Sequence, residues 1–199
     1  MKSENDTIRY YDEHACEFIE SSINADMTVL YDKFIRYLPV EGNVLDVGCG
    51  SGRDSLFFKK CGYNVTAVDA SIEMCQRATV LIGQSVQQMK FEDISFENHY
   101  DGVWACASLL HVDKTSIKDI LERLVKSLVP NGVLYASWKY GIGERVDGNR
   151  FYCDYNEKNI RQLVDGIKQT QLLEIWISKD TRSADYNTKW INLLLKRIE

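Results

Sequence analysis

The segment VLDVGCGSGRDS at 44–55 concentrates the residues of this chain that could do chemistry. An apolar run enters a turn with glycines at alternate positions, Gly48, Gly50 and Gly52, and a helical pattern follows from Asp54. Glycine permits positive φ and lets a ligand approach main-chain amides at the start of a helix. A plain strand-to-helix turn needs one glycine, so three point to a ligand. Asp69 closes the next apolar run, NVTAVD, 19 residues beyond Gly50, where a carboxylate is placed to accept both hydroxyls of a ribose. A dinucleotide suits the loop poorly. It wants GxGxxG, and Arg53 stands where the last glycine would be. Asp46, two residues before Gly48, would repel a pyrophosphate but attract an ammonium group, directly or through water. Adenosine joined to an amino acid fits these residues better.

Other chemistry-bearing residues lie further along. Arg53 falls in the first turn of the helix, where the dipole disfavours a cation unless a carboxylate meets it. That carboxylate is either the ligand's or that of Asp54 or another surface acid. Tyr10 and Tyr11 sit on an amphipathic helix, where core packing is the plain reading. His111 follows the fourth apolar run, and a structural hydrogen bond in the loop is preferred over a general base. Trp138, Lys139 and Tyr140 end the fifth run on the side expected to face a substrate. Beyond them, Gly141, Gly143 and Gly148 punctuate Glu144, Arg145, Asp147 and Arg150, a composition suited to a movable cover or to a solvated loop.

The elements that must position these residues alternate. Apolar spacings of three and four predict helices over 8–23 and 29–38, the second ending at Pro39. Short apolar runs at 43–47, 64–68, 85–89, 102–106 and 133–138 read as strands buried on both faces. Helical segments fall between them, clearest at Ile117, Ile120, Leu121, Leu124, Val125 and Leu128. This alternation implies a parallel sheet with helices on both faces. A helix from Asn156 buries Ile160, Leu163, Val164 and Ile167. The runs 172–178 and 188–198, joined by the polar stretch 179–187, form a closing hairpin, with a helix as the alternative for 189–198.

The 199 residues, 45% hydrophobic and 27% charged with net charge −5, suit one domain with a full core. Its parts are an N-terminal helical cap (1–40), a ligand-binding core (41–140) and a substrate-side loop, helix and closing strands (141–199). Residues 1–138 carry 13 basic and 20 acidic side chains and 139–199 carry 11 and 9, so neither part has the basic excess of a nucleic-acid binder. The longest apolar runs, such as 103–110, fall far short of the roughly 20 residues needed to span a bilayer. The first 20 residues are charged throughout, with no secretory signal, so the cytoplasm is the expected compartment. Six cysteines, none closer than 12 residues to the next, form neither a CxxC pair nor a zinc ladder, so they are read as reduced and mostly buried, and no metal is expected.

Four segments in order, VLDVGCGSGRDS, TAVDAS at 66–71, YDGVWACASLLHV at 100–112 and LVPNGVLYASW at 128–138, resemble the class I S-adenosylmethionine-dependent methyltransferases. The GSGRDS loop, WACASLLHV, KYGIGERVDGNRFY at 139–152, YYDEHA at 10–15 and the late DTR with Trp190 resemble the small tellurite-resistance-like members. The resemblance implies an α/β, Rossmann-like, seven-stranded, mainly parallel sheet in order 3-2-1-4-5-7-6, its last strand antiparallel. It implies S-adenosyl-L-methionine as cofactor and S-adenosyl-L-homocysteine as product. Gly48, Cys49, Gly50 and Gly52 would pack under the methionine and sugar, with Asp46 and Arg53 toward the amino and carboxyl groups. Asp69 would hold the ribose, and Ala70, Ser71 and Met74 the adenine. Met89, Lys90 and Phe91 would line the other adenine face, leaving Glu92 and Asp93 without a clear role. Ala105 and Cys106 would border the sulfonium, and Tyr11 would close over it.

On the acceptor side the resemblance implies Tyr11, His111, Trp138, Tyr140, Arg145 and Arg150, with His111, Tyr11 and Arg53 nearest the chemistry. Methyl transfer is an in-line displacement dominated by positioning. The lack of a compelling base favours an acceptor already ionised, such as a thiol or chalcogen oxyanion. The two prolines, in LPV and VPN, exclude the NPP[YF] and Pro-Cys motifs of DNA methyltransferases. A small-molecule acceptor leads, with an RNA or protein acceptor, another cofactor-consuming reaction and a non-catalytic regulatory module as rivals. A monomer and a homodimer are equally compatible with the sequence.

Overall fold

The computed structural model describes residues 4–182 and 188–199. Helices α1 (Glu4–Glu13), α2 (Ala15–Ser22) and α3 (Thr28–Ile35) precede the sheet. Strands β1 (Asn43–Val47), β2 (Asn64–Asp69), β3 (Gln87–Gln88), β4 (Tyr100–Ala105) and β5 (Leu128–Lys139) then alternate with α4 (Arg53–Lys60), α5 (Ile72–Ile82) and α6 (Ile117–Ser127). A hairpin, β6 (Gly143–Asp147) and β7 (Arg150–Asp154), leads into α7 (Glu157–Asp165), β8 (Thr170–Lys179) and β9 (Lys189–Arg197). The seven-stranded sheet runs β3-β2-β1-β4-β5-β9-β8, with β9 antiparallel to both neighbours. This is the Rossmann-like order expected above.

Burial follows strand parity. Val44, Trp104, Tyr135 and Leu194 face one side and pack with Tyr31 and Phe34 of α3 and Phe58 of α4. Leu45, Val103, Leu134 and Leu195 face the other, under Leu121 of α6 and Ile160 of α7. The apolar face of α6 sinks as its spacing predicts: Ile117, Ile120, Leu121, Leu124 and Val125 are all buried. Ser71 caps α5 by accepting the Met74 N–H at 3.1 Å, and Gly83 (φ +68°) ends it.

The helix expected over 8–23 breaks at His14, which leaves helical geometry (φ −120°, ψ 22°) and turns its imidazole Nδ1 to the Tyr10 carbonyl. The strand expected over 85–89 shrinks to Gln87–Gln88, because at the sheet edge both side chains stand in solvent. Residues 189–197 form a strand. Ile191, Leu193, Leu194 and Leu195 are all fully buried because β9 is covered on both faces, which removed the alternation that would have marked it. Of its connection to β8, residues 183–187 lie outside the described residues. The segment expected as a cover is a hairpin, turned by Gly148 (φ +54°) and Asn149 (φ +69°), two left-handed residues as a tight type I′ turn requires. Among the cysteines, Cys16 and Cys61 are exposed, and none is disulfide-bonded. Among the described residues no helix is long and apolar enough to cross a membrane.

Candidate active site

A cavity of about 440 Å³ opens over the C-terminal ends of β1, β2, β4 and β5, beneath α1 and α2. Of the residues expected at a site, Tyr11, Gly48, Cys49, Gly50, Arg53, Asp69, Ala70, Ser71, Met74, Phe91, Cys106 and His111 line it. The glycines divide their work. A Cβ on Gly48 (φ +71°) would lie 2.5 Å from the Ser108 Cβ, and one on Gly52 (φ +80°) would lie 2.9 Å from Ile82 of α5. Gly48 thus lets β4's loop close on β1's, and Gly52, outside the lining, serves the packing of α4 on α5. Gly50 (φ +52°) would meet only the Phe18 ring, at 3.6 Å, and keeps the cavity floor open.

Asp69 stands at the rim of this floor. Its Oδ2 accepts the Gly50 N–H at 2.8 Å and its Oδ1 the Ser71 N–H at 2.9 Å, so the carboxylate is fixed with lone pairs to spare. Burial raises its pKa against those two bonds. Asp46 lies deeper, sealed beneath the loop, where its Oδ2 accepts from Ser55 Oγ at 2.6 Å. Burial, and next the charge of Asp54, push its carboxyl well above the usual range.

Asp54 is the anchor that sequence reading missed. Its Oδ1 accepts from Tyr31 Oη and Arg53 Nε, both at 2.6 Å, and its Oδ2 from Trp104 Nε1 at 2.8 Å. Arg53 Nη1 also donates to the Ser22 carbonyl at 2.9 Å. The arginine therefore ties α2 to α4 and pairs with Asp54 while lining the cavity.

His111 is held at both ring nitrogens. A carbonyl only accepts, so the 2.6 Å contact of Nδ1 with the Phe151 oxygen places the proton on Nδ1, and Nε2 accepts from Tyr11 Oη at 2.8 Å. Burial drives the imidazole pKa down to about 4, with Arg150 and Lys139 adding to the fall and the Phe151 bond opposing it. Burial also raises the Tyr11 phenol, so both groups are neutral near pH 7. The Nδ1 bond to the Phe151 carbonyl ties the loop after β4 to β7. A stacked Tyr10–His14 pair and Thr7 Oγ1, which accepts the Phe151 N–H at 3.0 Å, hold α1 over the same corner.

Several expected residues stand elsewhere, mostly by strand parity. Trp138 is fully buried against Tyr155 on the far face, whereas Tyr135 and Ser137, one position out of phase with it, line the cavity. Ala105 likewise points into the core while Cys106 faces the cavity. Tyr140 is exposed and donates to Glu157 at 2.9 Å. Met89 packs on the core, and Lys90 Nζ reaches Asn5 Oδ1 at 3.2 Å. Arg145 pairs with Asp154 at 2.8 Å, and Arg150 lies over the Tyr10 ring at 4.5 Å. Ser108 and Asn192 join the lining unforeseen, as do Glu92, left without a clear role, and Asp180, Arg182 and Trp190, given no role. The late DTR, noted only for its resemblance, was the available signal for two of them. Among the described residues no group of three His, Cys, Asp or Glu is arranged to hold a metal ion.

Residues 44–132 match the methyltransferase-domain family. The chain is 32% identical over 160 residues to the 2-methyl-6-phytyl-1,4-hydroquinone methyltransferase of Synechocystis sp., covering 76% of this chain and 48% of that one. It spans about half the length of the curated relatives it matches. Its fold superposes on the Burkholderia thailandensis 1,6-didemethyltoxoflavin-N1-methyltransferase, solved with S-adenosylhomocysteine, with TM-score 0.78 and 19% identity over 98% of this chain and 87% of that one. The [4+2]-cyclase SpnF shares the fold at TM-score 0.70 and 14% identity, over 96% of this chain and 94% of that one. The architecture is therefore the fold of these methyltransferase structures, and the segment that matches the methyltransferase-domain family, 44–132, spans the cavity floor.

Proposed function

We propose that this protein is a cytoplasmic S-adenosylmethionine-dependent methyltransferase acting on a small molecule, with a thiol or chalcogen oxyanion as the leading acceptor. The observation that carries this reading is the cavity floor, where fixed Asp69, open Gly50 and the buried carboxyls meet under one roof. The donor set fits the cofactor. Asp46 and Asp69 place two carboxyls beneath the site of a cationic ligand, and such a ligand would favour their ionised forms against burial. Ser108 Oγ, in the cavity wall beside Gly48, is buried with no hydrogen-bond partner among the described residues and would take one from a ligand. Asp69 would hold the ribose, Ser71, Met74 and Phe91 the adenine, and Gly48, Gly50 and Cys106 the methionine part.

S-adenosylmethionine supplies, when bound, an electrophilic methyl group on a sulfonium. The chain's own part is positioning and exclusion of water. Orientation of this kind is worth roughly 7–11 kcal/mol. Tyr11, held by His111 and packed edge-on against Phe18 (5.1 Å), closes the roof with an aromatic face. With its pKa near 4 and Nε2 engaged by Tyr11, His111 is a weak base, which favours an acceptor that arrives ionised.

The fold alone does not choose methyl transfer, since the cyclase shares it. A thermal-shift titration with S-adenosylhomocysteine, with NAD alongside, makes the choice of cofactor. At about 100 times its dissociation constant the ligand adds about 2.7 kcal/mol, or roughly 5–11 °C. A shift with NAD alone, or with neither, overturns the reading. Mass-spectrometric detection of a methylated product, starting with thiols and chalcogen oxyanions, then tests the reaction.

A further inference from the structure

We propose that the acceptor carries an anionic group, a carboxylate or another small oxyanion, held by Arg182 in the field of Lys139 and Arg150. This rests on the methyl-transfer reading and concerns the side of the same cavity that Arg182 lines, with Lys139, Arg145 and Arg150 outside the lining, beyond His111. Around the Tyr152 ring stand Lys139 Nζ at 4.5 Å, the Arg145 guanidinium at 4.4 Å and that of Arg150 at 5.4 Å. Arg145 is neutralised by Asp154 and, at 3.5 Å, by Asp147. Lys139 and Arg150 form no ion pair among the described residues, and the Arg150 Nε is buried without a hydrogen-bond partner there.

Arg182 brings this charge into the cavity. Asp180 grips it through Nε at 3.1 Å and Nη2 at 2.8 Å while also accepting from Trp190 Nε1 at 3.1 Å. The guanidinium is thereby oriented, and its charge acts on Cys106 and Tyr11, which line the cavity with it. Lys139 and Arg150 act on His111 in the same wall, and Lys139 feels Arg145, Arg150 and Arg182 together. Arg182 carries Asp180 as its counter-ion, whereas Lys139 and Arg150, whose guanidinium hydrogen-bonds only the neutral Tyr11 phenol among the described residues, repel each other in a partly buried corner, and a small anion relieves that repulsion. A guanidinium fixed along one edge offers its other donors to a planar or tetrahedral oxyanion, a pairing that lysine copies only as a point charge. In a chain of net charge −5, excess positive charge at this one place is selective for what enters.

The test uses the full chain saturated with S-adenosylhomocysteine, titrated calorimetrically with mercaptoacetate and with its neutral counterpart mercaptoacetamide. Mercaptoacetate should bind saturably and at least tenfold more tightly than the amide. Lys139→Met and Arg182→Met should each weaken it about tenfold and Arg182→Lys less, with S-adenosylhomocysteine affinity unchanged as the sign that each variant is folded. Bound mercaptoacetate should also raise the His111 pKa, read by NMR, because it offsets the Lys139 and Arg150 charges. Equal binding of acid and amide, binding of neither, or indifference to both methionine variants overturns the anion site. Failure of wild-type protein to bind S-adenosylhomocysteine overturns the methyl-transfer reading instead.

Discussion

At the glycine-loop end of the cavity, the carboxyls of Asp46 and Asp69 are pushed up by burial, with Asp54 saturated by three donors between them and the aromatic cluster. Behind the wall that His111 forms, on β5 and the β6–β7 hairpin outside the cavity lining, basic side chains crowd, and the imidazole of His111 is pushed down to about 4, first by burial. Each region holds like ionisable groups whose charged forms burial disfavours, and a ligand of the opposite sign would favour those forms. On the proposed reading, the cation-bearing methyl donor takes the first region and the anionic acceptor the side nearest the second.

The largest expected effect strikes the acidic end's anchor. Asp54→Ala strands Tyr31, Trp104 Nε1 and Arg53 at once, and should lower stability by about 3–5 kcal/mol in urea denaturation. A loss below about 1 kcal/mol would mean the network is dispensable. Asp69→Ala removes the carboxylate that accepts from Gly50 and Ser71, and calorimetry should show S-adenosylhomocysteine binding weakened by roughly 2–5 kcal/mol. Unchanged affinity would remove Asp69 from the site.

The basic region should announce itself through pH. His111 binds its proton less readily folded, at about 4, than unfolded, at about 6.5, so the unfolded state holds more protons between those values. Its contribution is therefore full above about 6.5 and lost as pH falls toward 4, on the order of 3 kcal/mol in total. The raised carboxyls of Asp46 and Asp69 slope the opposite way, since the folded state keeps their protons as pH rises. Denaturation of wild type and His111→Gln at pH 4.5, 5.5 and 6.5 separates them, and parallel curves would contradict the buried neutral imidazole. Gly48→Ala should cost about 1–3 kcal/mol, because its Cβ meets Ser108 at 2.5 Å. Gly83→Ala, also left-handed but with open space around its Cβ, should cost only about 1 kcal/mol, and equal costs would deny Gly48 its packing role.

The glycine loop, Asp69 and the five parallel strands were legible because each depends on neighbours in sequence: a turn needs glycine, and a buried strand needs an apolar run. Roles that depend on which face a strand residue takes were not. Trp138 and Ala105 were assigned by nearness to a strand end, yet the side-chain alternation sends Ser137 and Cys106 to the cavity instead. Asp54 reads in sequence as one more acid at a helix start, and only the meeting of α3, α4 and β4 gives it Tyr31, Arg53 and Trp104.

By itself, then, the sequence determined the order of elements, the left-handed loop and the acid that closes β2, all set by backbone sterics and short-range hydrophobic pattern. Folding in three dimensions set the buried carboxyls under the glycine loop and the basic side chains behind the His111 wall. Arg182 and Lys139 lie 43 positions apart in sequence but come together where β8 and β5 flank β9, and the sign of a buried field depends on such distant meetings.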